Sequence, residues 1–239
     1  TTWEGVFGRG SNRNFGFWWL GTSTGSLFHH TFDSDISTNT TFNTPNYSVP
    51  WGNYSMVSYN NTGTEARSYI NGVLKASYDG HSVMYTNTNM INIGRDVDYT
   101  DTSSTGRSYK GYIYEILVFT RILSDSERNR IHYYFSKKWG IESRVDSDGD
   151  GTVDASDSDP LTASTISFTN TVNNQINQSD ELGNVDADIM LWLDASNVDA
   201  ANNATLSDGA SISIWKDLSG NGNNVTNTGT GNTPLYNNQ

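Results

Sequence analysis

Asp146-Ser-Asp-Gly-Asp-Gly-Thr-Val-Asp-Ala-Ser-Asp-Ser-Asp-Pro160 is the stretch whose residue types and spacing specify the most chemistry. Asp146, Asp148 and Asp150 stand at positions 1, 3 and 5 of a loop, Gly151 at 6, Thr152 at 7, Asp154 at 9 and Asp157 at 12. Carboxylates on alternate residues turn inward together and a glycine at the sixth position allows a sharp turn. The seventh residue offers its carbonyl, and a last acid closes an all-oxygen shell of the kind Ca²⁺ takes. The expected ligands are therefore Asp146, Asp148, Asp150, the Thr152 carbonyl, Asp154 and Asp157, with Asp159 available to a second ion. Asp157 replaces the longer Glu usual at the twelfth position, which weakens a bidentate closure. A solvated acidic linker would account for the charge, but not for five of six aspartates and a glycine in register.

Charge is distributed to match. Residues 1–141 carry 12 Lys and Arg against 11 Asp and Glu, a net of +1. Residues 142–160 carry one Arg and seven acids, and residues 161–239 one Lys and eight acids. The net charge of −12 thus lies almost wholly after residue 141. No basic stripe exists to displace the counterions of a nucleic acid, so divalent cations are the expected partners and nucleic acid is not. Cysteine is absent, which excludes disulfides and thiol chemistry. No apolar run approaches the roughly 20 residues of a membrane helix, and no leader opens the chain. No membrane insertion is expected, and the sequence reads as the interior or the processed form of a longer precursor.

The elements that must position the loop read as β-structure. Aromatics make up 12% of the chain against 17% charged residues, amid abundant Asn, Thr, Ser and Gly, a composition that suits strands joined by polar loops. Strands are expected at Trp3–Phe7, Phe15–Leu20, Ser26–Phe32, Tyr54–Tyr59, Arg67–Leu74, Met90–Gly94 and Tyr112–Thr120. Asn71-Gly72 marks a two-residue type I′ hairpin. Gly111–Phe119 is apolar on both faces, as a central strand covered on both sides would be. Ser124 and Glu127 then make a capping box. Ile131, Phe135 and Trp139 form one stripe of a helix that ends at Gly140 and is expected to cover the outer face of the Gly111 strand. Thr165–Val172 suggests one more strand within a polar spacer.

Two groups of motifs carry a family resemblance. Tyr69-Ile-Asn-Gly-Val73 preceded by Trp51-Gly-Asn-Tyr-Ser-Met-Val57, and the run from Gly111 through Glu127 to Lys137-Lys-Trp-Gly140, resemble the laminin-G / concanavalin A-like jelly roll over roughly residues 1–141. Trp192-Leu-Asp-Ala195 and Trp215-Lys-Asp-Leu-Ser-Gly220 resemble the opening strands of the same class, although a Phe-Asp-Gly-type strand that normally follows them is missing. The aspartate loop, which no amphipathic helix pair flanks, is similar to thrombospondin type 3 calcium repeats, where aspartates wrap calcium in an otherwise unstructured linker. The resemblance implies an all-β fold, an antiparallel jelly-roll β-sandwich with one C-terminal helix. It divides the chain into a sandwich lacking its first strands (1–141), a calcium linker (142–160), a polar spacer (161–185) and opening strands (186–239). Those opening strands, Ile189–Leu193 and Ile212–Trp215, are expected to pair with a 1–141-type sheet, either in the same chain or in a neighbour. An extended, calcium-stiffened linker favours the neighbour and a head-to-tail fibre.

The same jelly-roll class includes glycosidases. A retaining glucanase of this class would carry Glu-x-Asp-x-(x)-Glu on one strand, with two carboxyls about 5 Å apart across the sugar. Glu115 is the only acid in the Gly111 strand and reads as a structural carboxylate held by an Arg or a backbone amide. No catalytic residue is expected. His29 and His30 are adjacent on a strand and so face opposite ways, a poor pair for one metal, and the Trp18-Trp19 pair splits likewise. Burial of the outward tryptophan under a loop is favoured over stacking on a sugar. Ser219–Asn223 resembles a structural turn beside Trp215, tied down by Asp217. The Asn-x-Ser/Thr triplets follow from composition and support no glycosylation.

The reading is of a non-catalytic extracellular adhesin or surface-filament module of a bacterial cell-surface or secreted protein. Ca²⁺ is its cofactor, and neighbouring repeats or subunits and cell-surface glycans are its partners. A carbohydrate-binding module is the alternative, and a glycoside hydrolase or lyase is disfavoured.

Overall fold

The computed structural model describes residues 2–9, 15–21, 26–32, 39–48, 53–79, 91–94, 108–162, 188–227 and 233–237. The first strands, rich in aromatic residues suited to a pleated surface, form an antiparallel meander: β1 (Thr2–Arg9), β2 (Phe15–Gly21), β3 (Ser26–Phe32) and β4 (Asn39–Ser48). β5 (Val57–Asn61), β6 (Glu65–Ile70) and β7 (Val73–Asp79) form a separate antiparallel sheet. β8 (Ile91–Ile93) joins β1 on the side away from β2, giving the first sheet the order β4-β3-β2-β1-β8. Among the described residues, these antiparallel sheets and one α-helix fit the β-sandwich expected from the sequence.

β4 was not expected from the sequence, because Asn39–Ser48 is polar and contains Pro45. Its place explains the tolerance. β4 is an edge strand, and Pro45 falls in the register break between Asn43 and Ser48, where no ladder hydrogen bond depends on its missing N–H. The Asn71-Gly72 turn is as expected, with φ of 51° and 85°, the two positive values a type I′ hairpin requires.

The helix α1 (Asp125–Lys138) opens on the Ser124–Glu127 capping box. The Ser124 N–H donates to Glu127 Oε2 at 2.8 Å and the Glu127 N–H to Ser124 Oγ at 3.3 Å. α1 packs on β5 and β6. Phe135 and Trp139 lie against a cluster of Met56, Ile141 and Val145. The buried face of α1 is not the apolar stripe alone. Asn129, His132 and Ser136 also turn inward, and His132 meets a polar group of the sheet. His132 shares a 2.9 Å hydrogen bond with Ser58 Oγ, and the Arg128 guanidinium lies 4.4 Å over the Tyr69 ring. Burial, reinforced by the Arg128 charge, pushes the His132 pKa down to about 3, so the ring is neutral at physiological pH.

The chain packs as two units, one of residues 1–111 and 122–182, the other of 112–121 and 183–239. α1 and the aspartate loop belong to the first unit, and the strand after Gly111 belongs to the second. That strand, β9 (Glu115–Phe119), pairs antiparallel with β10 (Ile189–Asp194) of the same chain. β9 is half-buried throughout and belongs to a two-stranded sheet among the described residues, so it is not the doubly covered central strand its apolar run suggests. In β10, Ile189, Leu191 and Leu193 are buried. Among the described residues, Ile212–Trp215 shows no pairing with the 1–141 segment. β11 (Ile214–Trp215) pairs with β12 (Val225–Thr226), and the Ile212 N–H donates to the Pro234 carbonyl. Thr165–Val172 lies outside the described residues, as do the side chains of Trp18, Trp19, His29 and His30.

Candidate metal centre

The loop that follows α1 is packed into the unit rather than strung out from it. Asp146, Ser147 and Asp154 are buried. The Asp154 N–H donates to the Val145 carbonyl at 2.7 Å and the Ala155 N–H to the Glu142 carbonyl at 3.1 Å. Lys137 of α1 pairs with Glu142 at 3.1 Å. Gly151, at φ 100°, makes the turn a side chain would resist.

Asp146, Asp148 and Asp150 come together, each offering a carboxylate oxygen within 4.8 Å of the others. Local amides hold them in place. Asp146 accepts from the N–H groups of Gly149 and Gly151 at 2.8 and 2.9 Å. Asp148 Oδ1 accepts from the Asp150 N–H at 3.2 Å, and Asp150 Oδ1 from the Thr152 N–H at 2.8 Å. The Asp157 Oδ1 takes the Asp159 N–H at 2.8 Å. Asp148 Oδ2 and Asp157 Oδ2 are buried oxygens with no hydrogen-bond partner. Orphaned carboxylate oxygens beside three clustered aspartates are a donor set short of positive charge, and a hard divalent cation fits it. The Asp148 carboxyl is pushed up to about 6, first by burial and then by the charges of Asp150, Asp157 and Asp146, while the Asp150 N–H works the other way.

Asp154 stands apart from this cluster. Its Oδ1 accepts from the Ser147 N–H and its Oδ2 from Ser147 Oγ, both at 2.8 Å, and Oδ2 also takes the Ser136 hydroxyl of α1. Burial pushes its carboxyl up against the pull of these Ser136 and Ser147 hydrogen bonds. Asp159 is exposed. Sequence reasoning found the aspartates but missed Ser136 and Ser147, since neither a serine on the helix nor a serine between two aspartates carries a spacing signal for a loop that folds back onto α1.

In the second unit the two tryptophan motifs hold each other. The Trp192 indole N–H donates to Glu115 Oε1 at 2.8 Å, and the Trp215 indole N–H to the Asp194 carbonyl at 3.1 Å. Asp217 accepts from the N–H groups of Trp192, Ser219 and Asn223 and from the Ser219 hydroxyl. Burial alone would raise its carboxyl, but these bonds outweigh it and hold the group below the ordinary range. Ser219–Asn223 is thus tied down by Asp217 as expected. Glu115 accepts the Trp192 indole N–H, a partner the sequence did not suggest.

The family model of the concanavalin A-like lectin/glucanases superfamily matches residues 1–127, more than half of the 239. The chain belongs to the concanavalin A-like lectin/glucanases superfamily. The matched region of this concanavalin A-like chain ends inside α1, before the aspartate loop and before β10, the partner of β9. No curated protein matches by sequence. Among solved structures it is similar to the CBM40 of a Ruminococcus gnavus IT-sialidase bound to α2,6-sialyllactose, at 14% identity and a TM-score of 0.33 over 46% of this chain and 62% of that one. It is also similar to residues 221–444 of an S-layer domain-containing protein from Clostridium thermocellum, at 20% identity and a TM-score of 0.29 over 52% of this chain and 59% of that one. The concanavalin A-like chain spans about three fifths of each. Neither likeness carries functional weight. The thrombospondin type 3 likeness rests on the aspartate spacing alone.

Proposed function

We propose that this chain is a non-catalytic, extracellular surface or adhesion module whose aspartate loop holds calcium. The observation that carries the reading is the clustering of Asp146, Asp148 and Asp150 within 4.8 Å, beside buried, unpartnered oxygens of Asp148 and Asp157. Asp146, Asp148, Asp150 and Asp157 would hold the ion with the Thr152 carbonyl, and Asp159 remains a candidate for a second. The bound ion would supply charge neutralisation and rigidity, and no reaction. Absence of catalysis is supported by Glu115, the one acid of β9, being committed to the Trp192 indole. Location outside the cell, on a bacterial surface, is supported by a calcium loop joined to a polar, jelly-roll chain. Among the described residues no helix is long and apolar enough to cross a membrane. Pairing of β10 with β9 in one chain supplies strand complementation without a neighbouring subunit. A second reading, a carbohydrate-binding module, is supported by membership in a superfamily named for lectins and glucanases. A glycan array separates it from an adhesion role that reads protein.

Calorimetric titration tests the calcium reading. Wild type is expected to take up calcium, and Asp148→Ala/Asp150→Ala to lose at least about a hundredfold in affinity. The folded, metal-free state holds a proton on Asp148 up to about pH 6, above the ordinary 3.8. That proton favours the fold at acid pH, and its contribution is lost as pH rises through 6. Calcium must displace it, so apparent affinity is expected to fall as pH drops below 6, with proton release near pH 6 and none at pH 8. Equal uptake by wild type and the double variant would sink the assignment.

A further inference from the structure

The Asn71-Gly72 turn is more than a hairpin end. The Asp146 N–H donates to the Asn71 carbonyl at 3.0 Å. Asn71 is itself clamped, its Oδ1 accepting the Met56 N–H and its own N–H donating to the Met56 carbonyl, both at 2.9 Å. A Cβ on Gly72 would lie 1.9 Å from the Asp146 carbonyl oxygen, so only glycine lets the turn and the loop come this close. From the other side α1 reaches the loop through Ser136 and Asp154. The first residue of the loop is therefore fixed by the β5–β7 sheet and the ninth by the helix. Neither contact involves a carboxylate oxygen that the cluster needs.

We infer that the Asn71-Gly72 turn is the seat of the metal loop, so that cation occupancy and the folding of β5–β7 and α1 form one linked equilibrium. The inference rests on the calcium reading above and adds that calcium acts on the sandwich unit itself. A free linker would behave otherwise: chelation would loosen the linker and leave the sandwich intact. An ion that binds only the seated loop stabilises whatever must be folded to seat it.

Hydrogen exchange on the full chain, in calcium and in chelator, tests this together with Gly72→Asn. Asparagine tolerates positive φ but brings the Cβ that Asp146 excludes. Calcium is expected to slow exchange about tenfold or more in Glu65–Ile70 and Asp125–Lys138 as well as in the loop. Asp148→Ala/Asp150→Ala should erase that protection. Gly72→Asn, which removes no ligand atom, should weaken calcium binding about tenfold or more. Should that variant fail to fold, the wild-type exchange pattern decides alone. Protection confined to residues 146–157, or wild-type affinity in a folded Gly72→Asn, overturns the inference while leaving the calcium reading standing. No calcium uptake by wild type overturns that reading instead.

Discussion

Asp154→Ala is expected to cost the metal-free chain about 2–4 kcal/mol, while Asp148→Ala costs it nothing. Both residues are aspartates of one loop, and spacing alone makes both ligands. Their surroundings differ. Asp154 is 7% exposed and receives the Ser147 N–H, the Ser147 hydroxyl and the Ser136 hydroxyl, groups on residues that are themselves at most 1% exposed. Removing the carboxylate strands those donors in a site water does not reach, and a buried donor left unpaired costs about 1–3 kcal/mol. Asp148 instead faces the like charges of Asp150, Asp157 and Asp146, with one oxygen buried and unpartnered. Its removal relieves repulsion in the absence of an ion. Urea unfolding in chelator, followed by tryptophan fluorescence, separates the two. A lowered midpoint for Asp148→Ala and an unchanged one for Asp154→Ala would reverse the assigned roles.

Deleting residues 183–239 is expected to turn a monomer into an associating chain. β9 would lose its antiparallel partner, and with it the buried Ile189, Leu191 and Leu193 of β10. Each such aliphatic contributes about 1.5–3 kcal/mol when fully buried, and an unpaired strand edge templates pairing with other chains. Sedimentation over a concentration series should show the full chain as a 26.4 kDa monomer throughout. The chain ending at Leu182 should grow with concentration, and adding residues 183–239 as a separate polypeptide should suppress that growth. A truncated chain that stays monomeric and ignores the added polypeptide would show that β9 needs no partner.

What the sequence made legible was local. The Asn71-Gly72 turn and the Ser124–Glu127 cap depend on neighbours within a few positions, and both appear as expected. The clustering of Asp146, Asp148 and Asp150 follows from alternation in one loop. β4 stayed hidden because an edge strand needs neither apolar alternation nor every N–H, and so tolerates Pro45. The long-range partners were also out of reach. Asp154 has a ligand's spacing, yet its oxygens are taken by Ser136 and Ser147. The apolar run after Gly111 marks a strand, but it does not reveal that the strand's partner is Ile189–Asp194. The Trp192 and Trp215 motifs were legible as a family pattern, but their bonds to Glu115 and Asp194 could be seen only once the strands were paired.

The most direct test of the account is a crystal structure of the full chain grown with calcium, with the ion located by its anomalous signal. The account predicts one ion about 2.3–2.6 Å from oxygens of Asp146, Asp148, Asp150 and Asp157 and from the Thr152 carbonyl, with Asp154 still bonded to Ser136 and Ser147. A loop that stays empty at millimolar calcium, or an ion that draws Asp154 off Ser136 into its shell, would contradict it.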